Sequence, residues 1–100
     1  MSDDTAEILR RVWASRRDDV LARVDAIDAA LADGRDDATR EEGRRQAHML
    51  AGSAGTFGFP DASRIARELE HTLASAVAVD DTQRAQAEEL RRILEGEPQT

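Results

Sequence analysis

The sequence predicts an all-α protein, an antiparallel up-and-down four-helix bundle with a short extra N-terminal helix. Three observations predict it. Apolar residues recur at steps of three and four along nearly the whole chain, and no stretch alternates as a strand does. The stretches between these periodic segments are short, which makes neighbouring helices antiparallel. Alanine supplies 18 of the 40 apolar residues, so helix faces are small enough to approach closely.

Each element follows from its residues. The first stripe runs Ile8, Leu9, Val12, Trp13, then Val20, Val24, Ile27 and Leu31. Asp3 or Asp4 suits the start, because a side-chain oxygen there accepts an orphan backbone N–H. Asp18 and Asp19 leave two readings, a second cap or an unbroken helix. The expected division is a short helix near 4–15 and a longer one near 17–32, ended by Asp33-Gly34. The next helix begins near Ala38, with Thr39 and Glu42 at capping-box spacing. Its small and apolar stripe is Gly43, Ala47, Leu50, Ala54 and Phe57. Gly58 and Pro60 end it, and Pro60 suits the first turn of the following helix, where no N–H is needed. That helix presents Ala62, Ile65, Ala66, Leu69, Leu73, Ala76 and Val77. The last starts at Asp80 or Asp81, with Gln83 completing a capping box to Asp80, and buries Ala87, Leu90, Ile93 and Leu94. Residues 95–100 read as a frayed tail. Trp13 is expected between the first helix and the bundle, and Phe57 and Phe59 in inter-helix packing. Residues 1–100 form one expected domain.

Composition removes several function classes. Fourteen arginines, no lysine and 21 acids leave a net charge of -7, which argues against sequence-independent nucleic-acid binding. With no cysteine there is no disulfide scaffold. No apolar run approaches the ~20 residues that span a bilayer. The start, Met-Ser-Asp-Asp, lacks the basic-then-apolar layout of a signal peptide, so the cytoplasm is the expected location. The paired acids Asp18-Asp19, Asp36-Asp37 and Asp80-Asp81 read as caps and turns, and no metal site is expected.

One stretch departs from good helix chemistry: Ala47-His48-Met49-Leu50-Ala51-Gly52-Ser53-Ala54-Gly55-Thr56-Phe57-Gly58-Phe59. Each interior glycine costs about 1 kcal/mol relative to alanine. Helical geometry offers a steric reason. With Ala47, Leu50, Ala54 and Phe57 on the core, His48 stands at the core's edge. Gly52 follows one turn later and Gly55 two turns later, with Ala51 alongside. The imidazole is then flanked by residues with little or no side chain, and a partner can approach it. Arg44 and Arg45 lie one turn before it. An ordinary surface histidine is the plainer reading of the same residue.

The run Ala-His-x-Leu-x-Gly-Ser-Ala-Gly-x-Phe-Gly resembles the signature of histidine phosphotransfer domains, four-helix bundles that relay phosphoryl groups in two-component signalling. The part from Gly52 to Phe59 is especially similar to the phosphotransfer domain of the bacterial chemotaxis kinase. The resemblance covers about residues 44–73. It implies that His48 is the phosphoacceptor, that Gly52 leaves room beside the ring, and that Glu70 hydrogen-bonds the imidazole. Where the family usually has lysine, three residues after the histidine, this chain has Ala51. Arg44, Arg45 and, less directly, Arg67 are the candidates to balance the phosphoryl charge in its place. His71 matches no functional position.

Neutral imidazole, with an ordinary pKa of ~6.5, is a competent nucleophile near pH 7. A carboxylate accepting from Nδ1–H fixes the tautomer and leaves Nε2 to attack. No P-loop or kinase nucleotide motif is present, so the chain is expected to carry a phosphoryl group rather than act as an enzyme. The resemblance implies a bacterial phosphorelay, with a histidine kinase and a response-regulator receiver domain as partners. Magnesium is expected on the receiver, and no cofactor on this chain. The docking surface is expected to centre on His48, Ala51, Gly52 and Gly55, with Arg44 and Arg45 at the rim. A monomer is expected, without nucleic-acid or membrane contact. Two other readings share the fold: a helical interaction module without phosphoryl chemistry, and the detached phosphotransfer domain of a chemotaxis-type kinase.

Overall fold

The computed structural model describes residues 2–32, 35–75 and 78–98, the side chains of residues 2 and 3 excepted. Four helices, α1 (Ser2–Leu31), α2 (Asp37–Thr56), α3 (Pro60–Ala74) and α4 (Asp81–Leu94), follow one another. α1 packs on α2 and α4, α2 on α3, and α3 on α4, which closes a ring of four neighbours. This is the expected helical bundle. Among the described residues there is no strand.

The first helix corrects the expected division. α1 is one helix of 30 residues and has no break at Asp18-Asp19. Its buried residues are Trp13, Val20, Val24, Ile27, Ala30 and Leu31. Between Trp13 and Val20 the seam is filled by Arg17. The steps 13, 17, 20, 24, 27, 31 alternate four and three, a continuous heptad seam. Arg17 can occupy that seam because its stem packs while its charge reaches the edge. Its guanidinium lies 5.8 Å from the Trp13 ring centroid and donates to the Gly96 carbonyl at 3.3 Å. Asp18 and Asp19 simply face solvent.

The start of the predicted stripe also differs. Ile8 and Val12 are exposed, although Trp13 beside Val12 is buried. Helix is already formed at Ser2, so Asp4 stands inside the first turn. The Asp3 side chain, Asp33-Gly34, Ala76, Val77 and the tail residues 99–100 lie outside the described residues. Within the tail, Glu95 caps α4, and Arg17 pairs with Glu97 at 3.6 Å.

α2 starts one residue earlier than expected, with a different cap. Asp36 is the N-cap, and its Oδ1 accepts from the Thr39 N–H at 2.8 Å. Thr39 is thus the third helical residue rather than the cap, and Glu42 is held by Arg45 and Gln46. Hydrogen bonding from the Thr39 side chain, and then from its backbone N–H, holds the Asp36 carboxyl below its ordinary value. At α4 the expected box is present: Asp80 accepts from the first turn and its N–H is met by Gln83.

The α2–α3 connection places the aromatic residues. Gly58 has φ 92, a left-handed conformation that glycine adopts without penalty. The Phe59 N–H donates back to the Ala54 carbonyl at 2.9 Å and the Gly58 N–H to that of Gly55 at 3.2 Å, the paired bonds of a Schellman stop. Pro60 then opens α3. This turn lays Phe59 and Phe57 on Trp13, with ring centroids 4.7 and 5.5 Å apart. Phe59 and Trp13 are fully buried, whereas Phe57 is half-buried.

One close approach fixes the α1–α2 distance. A Cβ on Gly43 would stand 2.2 Å from the Ala30 Cβ and 3.1 Å from the Ala26 carbonyl oxygen. Two helices can pack this tightly only where one of them has no side chain.

Candidate functional site

His48 lies on α2 and Glu70 on α3, and these two helices form the most extensive pairing in the bundle. The His48 side chain is 69% exposed, and its Nδ1 lies 2.9 Å from Glu70 Oε2. An ionised carboxylate can only accept, so the proton of this bond sits on Nδ1. Among the described residues nothing hydrogen-bonds Nε2, which is left with its lone pair. Glu70 itself is half-buried, its side chain 23% exposed.

The two glycines near the ring have different surroundings. A Cβ on Gly52 would meet nothing within 4 Å. Packing inside this chain therefore does not ask for glycine there, although a helix interior disfavours it. Gly55 is exposed but faces α3, where a Cβ would stand 3.5 Å from Ser63 Oγ, an ordinary contact. Its neighbour Ser63 is buried and donates to the Ala51 carbonyl at 2.5 Å. This bond stitches α2 to α3 just beyond His48. Sequence reasoning missed Ser63, whose only signal was a place one residue off the apolar face of α3.

Ala51 also stands elsewhere than expected. It was placed on the open docking surface but is only 6% exposed. α2 contacts both α1 and α3, so its apolar arc is wider than a single stripe and takes in position 51 along with Ala47, Leu50 and Ala54. Of the small residues near His48, Gly52 is the exposed one a turn later; Met49, the next residue, is 41% exposed and accepts weakly from Arg23 of α1. An exposed methionine next to the histidine was legible in the sequence but was not singled out.

The arginine rim divides. Arg44 donates to Glu41 through Nε and Nη2, while its Nη1 lies 3.7 Å from Glu70 Oε2. The contact with Glu41, and then the nearby Glu70 charge, raise the Arg44 pKa, while Arg44 lowers that of Glu41. Arg45 is bound to Glu42 on the same helix and is not brought to Glu70. Arg67 is exposed, and among the described residues it has no ion-pair partner. His71 is exposed on α3, and its carbonyl accepts from the Ser75 hydroxyl. Among the described residues no group of three His, Cys, Asp or Glu is placed to hold a metal ion. Among them, too, no helix is long and apolar enough to cross a membrane.

A helical bundle that presents an exposed imidazole, tethered at one ring nitrogen with the other left open, has the arrangement expected of a protein that carries a group on histidine. The chain belongs to the Hpt domain family, whose model matches residues 11–97. Hpt domains are the phosphotransfer modules of phosphorelays. They are phosphocarriers rather than enzymes with a catalytic site of their own, and they interact with histidine kinases and receiver domains. No match was found among curated proteins or among solved structures.

Proposed function

We propose that this chain carries a phosphoryl group on His48 Nε2, exchanging it with the aspartate of a response-regulator receiver domain. The observation that carries the proposal is the single tether of the ring: Nδ1 to Glu70 at 2.9 Å, with Nε2 unoccupied beside a glycine whose Cβ would meet open space. In the forward step the Nε2 lone pair attacks phosphorus. The Nε2–P bond forms, the P–O bond to the receiver's aspartate breaks, and the electron pair leaves with that carboxylate. Positive charge develops on the ring, and Glu70 stabilises it across the Nδ1–H bond. The reverse step returns the phosphoryl group to a receiver. Positioning and charge stabilisation at phosphorus fall to the receiver and the magnesium it holds. Every residue of this site comes from one chain, so a monomer suffices. The proposed setting is the bacterial cytoplasm, where kinases charged from ATP feed such relays.

The test is incubation with a phosphorylated receiver or a histidine kinase. The expected product is an acid-labile, alkali-stable label that is absent in His48→Gln. A label that persists in His48→Gln overturns the assignment. So does a chain that binds the receiver, indifferently to His48→Ala, and accepts no label.

A further inference from the structure

The position three residues after His48 is a buried alanine, so no cation stands one turn beyond the ring. A positive charge stands one turn before it. Arg44 and His48 share a helix face at i and i+4, and both meet the same oxygen of α3: Glu70 Oε2 lies 2.9 Å from His48 Nδ1 and 3.7 Å from Arg44 Nη1.

We propose that Arg44 is a positioning residue, whose guanidinium, anchored on Glu41, holds the Glu70 carboxylate against His48 and keeps the ring in its Nδ1–H form. The inference rests on the function proposed above. The planar fork makes the role possible. Its Nε and Nη2 edge takes both Glu41 oxygens at 2.6 to 3.0 Å, which aims Nη1 across the helix boundary at Glu70. An ammonium group could offer the charge but not this divided geometry. Because Nε and Nη2 are bound to Glu41 and Nη1 is turned to Glu70, Arg44 acts through Glu70 rather than on the phosphoryl group. It has two effects. It restrains a glutamate that would otherwise turn among rotamers. It also offsets the carboxylate's negative charge, which would oppose an incoming phosphoryl anion. Arg45, closed onto Glu42, has no such reach.

The experiment uses the full chain with Arg44→Gln, Arg44→Lys and Glu41→Gln. The first readout is the ring ¹⁵N spectrum of unphosphorylated His48 at pH 8, where an ordinary imidazole is neutral. The second is the rate of labelling by a phosphorylated receiver. In Arg44→Gln the Nδ1–H population falls and labelling slows by about three- to fivefold, the upper scale of a half-exposed charge pair. Glu41→Gln moves both readouts the same way by less, and Arg44→Lys recovers part of each. Unchanged helical circular dichroism separates these effects from misfolding. Wild-type tautomer and a labelling rate within about twofold in Arg44→Gln overturn the proposal. The ring spectrum needs no phosphoryl transfer, so a wild-type chain that never labels refutes the proposed function while leaving the clamp testable.

Discussion

Gly43 and Gly52 both sit inside α2, and alanine at either position gains about 1 kcal/mol of helix propensity. Their surroundings give the two substitutions opposite signs. At Gly52 a Cβ meets open space, so the gain is kept and Tm rises by about 4–8 °C for a domain of this size. At Gly43 the new Cβ starts 2.2 Å from that of Ala30. Carbon atoms prefer about 3.5–4.0 Å, so the helices must part by well over ~1 Å. Neither alanine has a rotamer to turn, and the Ala26 carbonyl at 3.1 Å closes the other side. Overpacking of this kind costs about 1–3 kcal/mol and here falls at or above the upper end, because only backbone can yield. Net of propensity, Gly43→Ala loses about 2 kcal/mol, or ~8–16 °C in Tm. Thermal and urea unfolding followed by circular dichroism measure both variants directly. If Gly43→Ala matches Gly52→Ala, or raises Tm, the close approach of α1 and α2 is wrong.

Three further outcomes follow from the same geometry. Gly52→Gln should leave the fold intact yet slow receiver-dependent labelling by more than about tenfold, since the side chain projects into the approach to His48; transfer at the wild-type rate would refute the access argument. Trp13→Ala should cost about 3–5 kcal/mol, seen in urea midpoints. Trp13→Phe should cost much less, because the buried Trp13 Nε1 has no hydrogen-bond partner among the described residues and its removal leaves nothing unsatisfied. Asp36, Glu41 and Glu42 have folded values lowered by the Thr39 cap, Arg44 and Arg45 respectively. A lowered carboxylate contributes stability above its unfolded value and loses it as pH falls through the folded one. Tm should therefore drop below about pH 4, and less steeply in Asp36→Asn, which keeps a capping oxygen but does not titrate. An equal acid slope in that variant would show that the cap charge is not linked to folding.

Local signals were legible where the cause is local. The capping box of Asp80 and Gln83, Pro60 at the head of α3 and the left-handed stop at Gly58 depend on residues a few positions apart. The His48–Gly52 spacing was visible for the same reason, since one helical turn places both on one side. The misreadings share a different cause. Asp18-Asp19 have the chemistry of a cap and left a second helix open as a reading, and only the bundle shows the helix running through them, with the Arg17 guanidinium over Trp13. Thr39 has the chemistry of a cap, but Asp36 lies where the backbone leaves the helix, and backbone conformation decides.

Periodicity was enough to make four helices and to place a histidine at the edge of one of them, because a 3.6-residue repeat converts spacing into a face. Which groups meet across faces was a matter of tertiary packing. The α2–α3 pairing buries Ala51, sets Ser63 on its carbonyl and brings Glu70 to His48 across 22 residues of chain. The same pairing lets Arg44 divide between Glu41 and Glu70. Periodicity puts Gly43 on the packed face and Gly52 beside His48, but that a Cβ has no room at the first and meets open space at the second is set by the neighbouring helix. Steric demand of that kind belongs to the distance between two helices, and a single helix does not contain it.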